Sequence, residues 1–124
     1  MAKILARPNL TLGDTPKRLA GPVAGTAAAA TLFVATVAPV VTLVQAVRVV
    51  NTTAGALTFI AWIGAATGTA DAVGLRQFSD TSVPANGVLE DTDEMLMVLV
   101  GGEALRWTAP TGLTCTVTGM ELTP

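Results

Sequence analysis

Residues 42–66, TLVQAVRVVNTTAGALTFIAWIGAA, decide the fold. In the first run Leu43, Gln45, Val47 and Val49 fall on one side, and Val44, Ala46, Arg48 and Val50 on the other. The run stops at Asn51-Thr52-Thr53-Ala54-Gly55. Alternation with period two, closed by turn formers, predicts a strand and then a turn. The second run places Leu57, Phe59, Ala61 and Ile63 opposite Thr58, Ile60, Trp62 and Gly64. With little polarity on either side it predicts a strand covered on both faces, in the middle of a sheet or at an interface between copies.

Outward from this pair the pattern repeats. Further strands are expected over residues 30–38, 75–83, 95–100, 104–109 and 113–122. They are separated by Thr67-Gly68-Thr69, Pro84-Ala85-Asn86-Gly87, Gly101-Gly102-Glu103 and Pro110-Thr111-Gly112. Short Val- and Thr-rich runs with regular turn signals predict an all-β fold: an antiparallel β-sandwich, jelly-roll-like, occupying residues 26–124. Residues 1–25, MAKILARPNLTLGDTPKRLAGPVAG, are rich in Pro and Gly and carry only scattered apolar side chains. Pro8 forbids a helix through Arg7, and Gly13-Asp14-Thr15-Pro16 is a turn. This segment reads as an extended N-terminal arm whose Ile4, Leu5, Leu10 and Leu12 need a surface to lie on.

Composition narrows the function. Of 124 residues 51% are hydrophobic, 13% charged and 4% aromatic, with no His, no Tyr and one Cys. That removes His-based triads, His-containing zinc sites, intrachain disulfides and Tyr acids, so an enzyme is not expected. Charge is polarised: Lys3, Arg7, Lys17 and Arg18 stand against Asp14 alone in the first 18 residues, whereas the rest carries three Arg against eight carboxylates. Four cations without interleaved aromatics make a weak nucleic-acid signal, so no nucleic acid is expected and an acidic protein neighbour comes first for the arm, with a solvated tail as the alternative. Residues 19–47 lack charge and could span a bilayer by length. Gly21, Pro22, Gly25, Pro39 and recurrent Thr favour strands instead, so no membrane contact is expected. One thiol and the lack of an apolar run behind Lys3 point to synthesis in a reducing cytoplasm.

The chemistry-bearing residues are few. Glu90-Asp91-Thr92-Asp93-Glu94 is the one carboxylate cluster, expected on a hairpin connection. Glu90, Asp91, Asp93 and Glu94 could offer oxygen ligands to calcium, but without the Gly and the distant bidentate Glu of an EF-hand loop they read as a solvated acidic turn. No cofactor is implied. Cys115, on a face with Leu113 and Val117, reads as a buried structural thiol. Trp62 and Trp107 could stack a sugar, but a core or interface role suits them better.

The segments AVRVVNTTAGALTFIAWIGA, SVPANGVLE, GGEALRW and LTCTVTGMEL, in this order, resemble small virion structural proteins of tailed bacteriophages. The match is carried by Val49-Val50-Asn51, residues 58–64, 83–87, 102–106 and 116–121, and spans about residues 42–122. These are strand and turn patterns without catalytic residues, and Glu90 to Glu94 depart from them by their acidity. The resemblance implies a β-sandwich that multiplies around a symmetry axis and decorates or completes a particle. The expectation is therefore a capsid decoration (cement) protein, a homotrimer located in the virion. It would bind the major capsid protein through Lys3, Ile4, Leu5, Arg7, Leu10, Leu12, Lys17 and Arg18. A tail or baseplate component and a receptor- or carbohydrate-binding module are the alternatives.

Overall fold

Alternating Val, Thr and Leu between Gly, Pro and Asn builds strands, and eight lie among residues 16–37, 40–65 and 75–122, which the computed structural model describes. They are β1 (Lys17–Ala24), β2 (Ala29–Val34), β3 (Val41–Asn51), β4 (Leu57–Gly64), β5 (Arg76–Val83), β6 (Val88–Val100), β7 (Ala104–Thr108) and β8 (Leu113–Leu122). One antiparallel sheet has the order β1-β8-β3-β6 and the other β2-β7-β4-β5. The fold is the all-β sandwich that the punctuation predicts. The uncharged stretch 19–47 is divided among β1, β2 and β3, and no helix among the described residues is long and apolar enough to cross a membrane.

The core is formed by the facing sides of the two sheets. Val44, Val47, Val49, Met97, Leu99, Leu113, Cys115 and Val117 come from the first; Leu32, Phe59, Ala61, Phe78, Leu105 and Trp107 come from the second. Phe59 sits centrally, 5.4 Å from the Phe78 ring and 6.0 Å from that of Trp107. Each fully buried Val or Leu contributes roughly 1.5–3 kcal/mol relative to exposure. β4 lies between β7 and β5, as its apolar character on both faces requires.

The alternation of β3 is not continuous. Thr42 and Val44 are buried, and then so are Val47, Val49 and Asn51, with the register against β8 slipping between Val44 and Ala46. Gln45 is therefore a β-bulge, and the strict alternation expected through this run, with Val44 opposed to Val47, is corrected by it. Gly119 of β8 makes room, since a Cβ there would meet the Leu43 carbonyl and the Leu19 side chain.

Two boundaries also differ. The strand expected at 95–100 begins at Val88, so Glu90 to Glu94 lie within β6 rather than on a hairpin connection. Pairing with β3 holds the first half of β6 extended: Glu90 is opposite Arg48, and Leu89 is opposite Val49. Residues Lys17–Ala24, expected in the arm, form β1 at a sheet edge, where Pro22 is tolerated because one side of the strand needs no ladder donor. Gly21, with φ at +103° and the Cys115 carbonyl where a Cβ would be, lets β1 pack against β8.

Asn51 ties the sheets together. Its Nδ2 donates to the carbonyls of Gly55 (2.8 Å) and Val83 (3.1 Å), and its Oδ1 accepts from Thr53 N (2.9 Å) and Thr53 Oγ1 (2.8 Å). Replacing it by Leu strands these groups, and Asn51→Leu should lower stability by about 2–4 kcal/mol in urea unfolding. Thr42 is the converse: its Oγ1 is buried with no hydrogen-bond partner. Thr42→Val keeps the shape and removes that cost, so the same measurement should show a gain of about 1 kcal/mol.

Candidate interaction surface

The outward side of the β1-β8-β3-β6 sheet divides along its length. At one end, residues facing away from the core form apolar rows across three strands: Leu122, Val41 and Val100, then Met120, Leu43 and Val98. The next rows are Thr118, Ala46 and Thr92, then Thr116, Arg48 and Glu90. Val98 and Val100 are 40% and 45% exposed. Opposite the single residue Gln45, β6 inserts Asp93, Glu94, Met95 and Leu96 between its paired Thr92 and Met97. This bulge carries Met95, 62% exposed, to the rim of the apolar rows. Gln45 Nε2 donates to the Glu94 carbonyl (3.4 Å), and Met95 N donates to Asp93 Oδ1 (3.2 Å).

Charged groups also stand at this end of the sheet. On its core-facing side, where Glu121 is opposite Thr42 and Lys17 opposite Gly119, Lys17 Nζ donates to Glu121 Oε1 at 2.8 Å, and Thr36 Oγ1, from beyond the end of β2, to Glu121 Oε2 at 2.5 Å. The Lys17 ammonium first, and then the Thr36 hydroxyl, hold the Glu121 carboxyl below its ordinary range, outweighing a small opposing effect of burial. On the β6 side stand Glu90, Asp91, Asp93 and Glu94, all exposed. Glu90 approaches Arg48 at 4.0 Å, an exposed pair of little energetic weight. Because an extended strand sends successive side chains to opposite faces, Glu90 and Asp91 diverge. Among the described residues no three His, Cys, Asp or Glu side chains are grouped to hold a metal ion.

Of the residues expected to contact a partner, Lys17 and Arg18 lie on β1. Lys3, Ile4, Leu5, Arg7, Leu10 and Leu12 lie outside the described residues. Trp107 is in the core, and Trp62 is buried on the outward side of β4, so neither offers a platform for a sugar. Sequence reasoning passed over Arg106, which is 5% exposed, faces Trp62 across the β4–β7 pair and donates from Nη1 to Thr31 Oγ1 at 2.6 Å. The signal was present: alternation in Ala104–Thr108 sets Arg106 on the side away from Leu105 and Trp107. A groove of about 300 Å³ lies at Thr58, Ile60, Asp80 and Thr108 on the second sheet.

No protein-family model matches the chain, and no curated protein matches its sequence. Among solved structures it is similar to one described as the capsid of Ralstonia phage GP4, at 16% sequence identity and a TM-score of 0.47, over 95% of this chain and 89% of that one.

Burial pushes the Cys115 thiol up to about 12, so the thiolate is scarce near neutrality. In the native protein at pH 8, Cys115 should resist iodoacetamide and react only after unfolding, as mass spectrometry of alkylated protein would show. Glu121, with its folded value depressed, stabilises the fold above its unfolded value and loses that contribution as pH falls through the folded one. Glu121→Gln should therefore cost stability near neutral pH and converge with wild type in strong acid, measured as Tm against pH.

Proposed function

We propose that this chain is a virion structural protein of a tailed bacteriophage, a capsid decoration protein that binds the shell of the major capsid protein. One observation carries the reading: a small sandwich leaves large apolar side chains exposed on both of its sheets. Val88, Val98 and Val100 lie on β6, Val34 on β2, and Val37 and Leu75 just outside the strands. A chain with 13% charged residues has little polar surface with which to mask them. Contacts on more than one side suit a subunit held among neighbours in a lattice.

The order of pairing supports the same reading. β1 pairs with β8, β2 with β7, β3 with β6 and β4 with β5, so the chain is a doubled ribbon rolled into two sheets. That pairing supports reading the sandwich as a jelly roll, an architecture that recurs in viral capsids. The resemblance of residues 42–122 to small phage virion proteins points the same way. In this reading the protein acts by position: symmetric copies, as a homotrimer, add area and avidity to the shell, each contact needing about 800 Å² per partner to reach standard interface size. The segment before β1 reaches neighbouring subunits, with Ile4, Leu5, Leu10 and Leu12 as anchors and Lys3, Arg7, Lys17 and Arg18 for steering. Manufacture in the host cytoplasm and residence in the virion follow from it.

An antibody against the protein should label the shells of purified phage particles in electron microscopy. Label confined to tails would make it a tail component, and particles without the protein would overturn the proposal. Because Lys17 and Arg18 belong to β1, the informative truncation removes residues 1–15. It should leave the far-ultraviolet spectrum of the sandwich intact and reduce co-sedimentation with shells at least tenfold.

A further inference from the structure

We propose that copies of this chain associate in pairs through the outward face of the β1-β8-β3-β6 sheet, about a twofold axis that runs along the strands. The occupant of the apolar rows is the same face of a second copy.

Strand register sets the charges of this face. Arg18 is opposite Thr118, so it lies on the outward side at the β1 edge, exposed, in the row of Thr118, Ala46 and Thr92. At the β6 edge Glu90 stands one row from Thr92 on one side, and Asp93 and Glu94 follow it on the other, all exposed. One edge of the face is therefore cationic and the opposite edge anionic, with the apolar rows at one end. A twofold axis along the strands lays the β1 edge of each copy over the β6 edge of the other and keeps every row on its own image. Arg18 then meets Thr92 of the second copy, flanked there by Glu90 and Asp93, and this contact occurs twice. The row of Met120, Leu43 and Val98 and the row of Val41 and Val100 meet their own images. Arg48, nearer the axis, approaches Glu90 of its own chain at 4.0 Å and so leans away from its image. An axis across the strands would instead set carboxylates on carboxylates along β6, and the apolar end on the end that carries Thr114 and Thr116.

Area and edges also select the face. Four strands about 4.8 Å apart, over about 30 Å of β3, give roughly 600 Å² before side-chain relief. Two such faces bury about 1,200 Å² in total, the lower limit of a specific interface. Pairing edge to edge is opposed on both flanks. Pro22 interrupts the free edge of β1, and in β6 four residues, Asp93 to Leu96, stand opposite Gln45. The contact uses one sheet and leaves Val34 of β2 and Leu75 before β5, both exposed, for the threefold contacts proposed above. It does not rest on a role in the virion.

Sedimentation equilibrium of the full chain at micromolar concentration should give an even multiple of its 12.6 kDa mass: twice, or six times where threefold contacts also hold in solution. A monomer or a trimer overturns the proposal. Two variants test the face and the axis, one with Arg18→Glu and one with Glu90→Lys and Glu94→Lys. All three residues are exposed, so both variants should keep the wild-type far-ultraviolet spectrum. Each variant alone should dissociate across this contact at least tenfold more readily at low salt, because like charges then face each other at both edges. Mixed in equal amounts, the two should associate again to within about threefold of wild type, since each edge then pairs opposite charges. Undiminished association of either variant alone, or no recovery on mixing, overturns the proposal.

Discussion

Gln45 adds one residue to β3 against β8, and the two sheets depend on it. Without that bulge a single alternation would send either Thr42 and Val44 or Val47, Val49 and Asn51 outward. With it, both halves of the longest central strand face the core. The cost is a break in the ladder, met by a glycine at position 119, where the β3 backbone comes too close for any Cβ. On the other flank β6 sets four residues, Asp93 to Leu96, opposite Gln45, which carries two acidic side chains and Met95 to the rim of the apolar rows. Core packing and surface character are thus joined through one residue.

Asn51 marks the other end of β3 with a different kind of constraint. Its amide is the buried polar group whose donors and acceptor are all used, and its bond to the Val83 carbonyl reaches from one sheet to the other. Dispersion and burial hold the sheets together but are nearly indifferent to sliding. Directional hydrogen bonds fix the offset. Thr42, buried without a partner, shows that a well-packed shape can also outweigh an unmet hydroxyl, at a cost of about 1 kcal/mol or more.

The surface follows from scarcity of charge. In a sandwich of this size half of every strand faces outward, and a chain built from Val, Ala and Thr has few side chains to solvate that half. Threonines cover β8, and acidic residues cover the first half of β6. The remaining rows are left apolar beside the point where the chain enters its first strand.

From residues alone, the strand character of β3, β4, β7 and β8 was determined, because their two-residue periods and the turns at Pro84 to Gly87 and at Gly101-Gly102 rest on local sterics and hydrogen bonding. The burial of Cys115 and Trp107 was legible for the same reason. Three things were decided only by tertiary structure. The first part of the acidic run, Glu90 to Thr92, became strand because β3 offered a ladder to pair with, and propensity yields to pairing. Residues Lys17–Ala24, too rich in Gly and Pro to declare themselves, became β1 because β8 had a free edge. The inward face of β3 changed midway because partners on both sides fixed its register, and register is a property of pairs of strands that one strand's sequence does not contain.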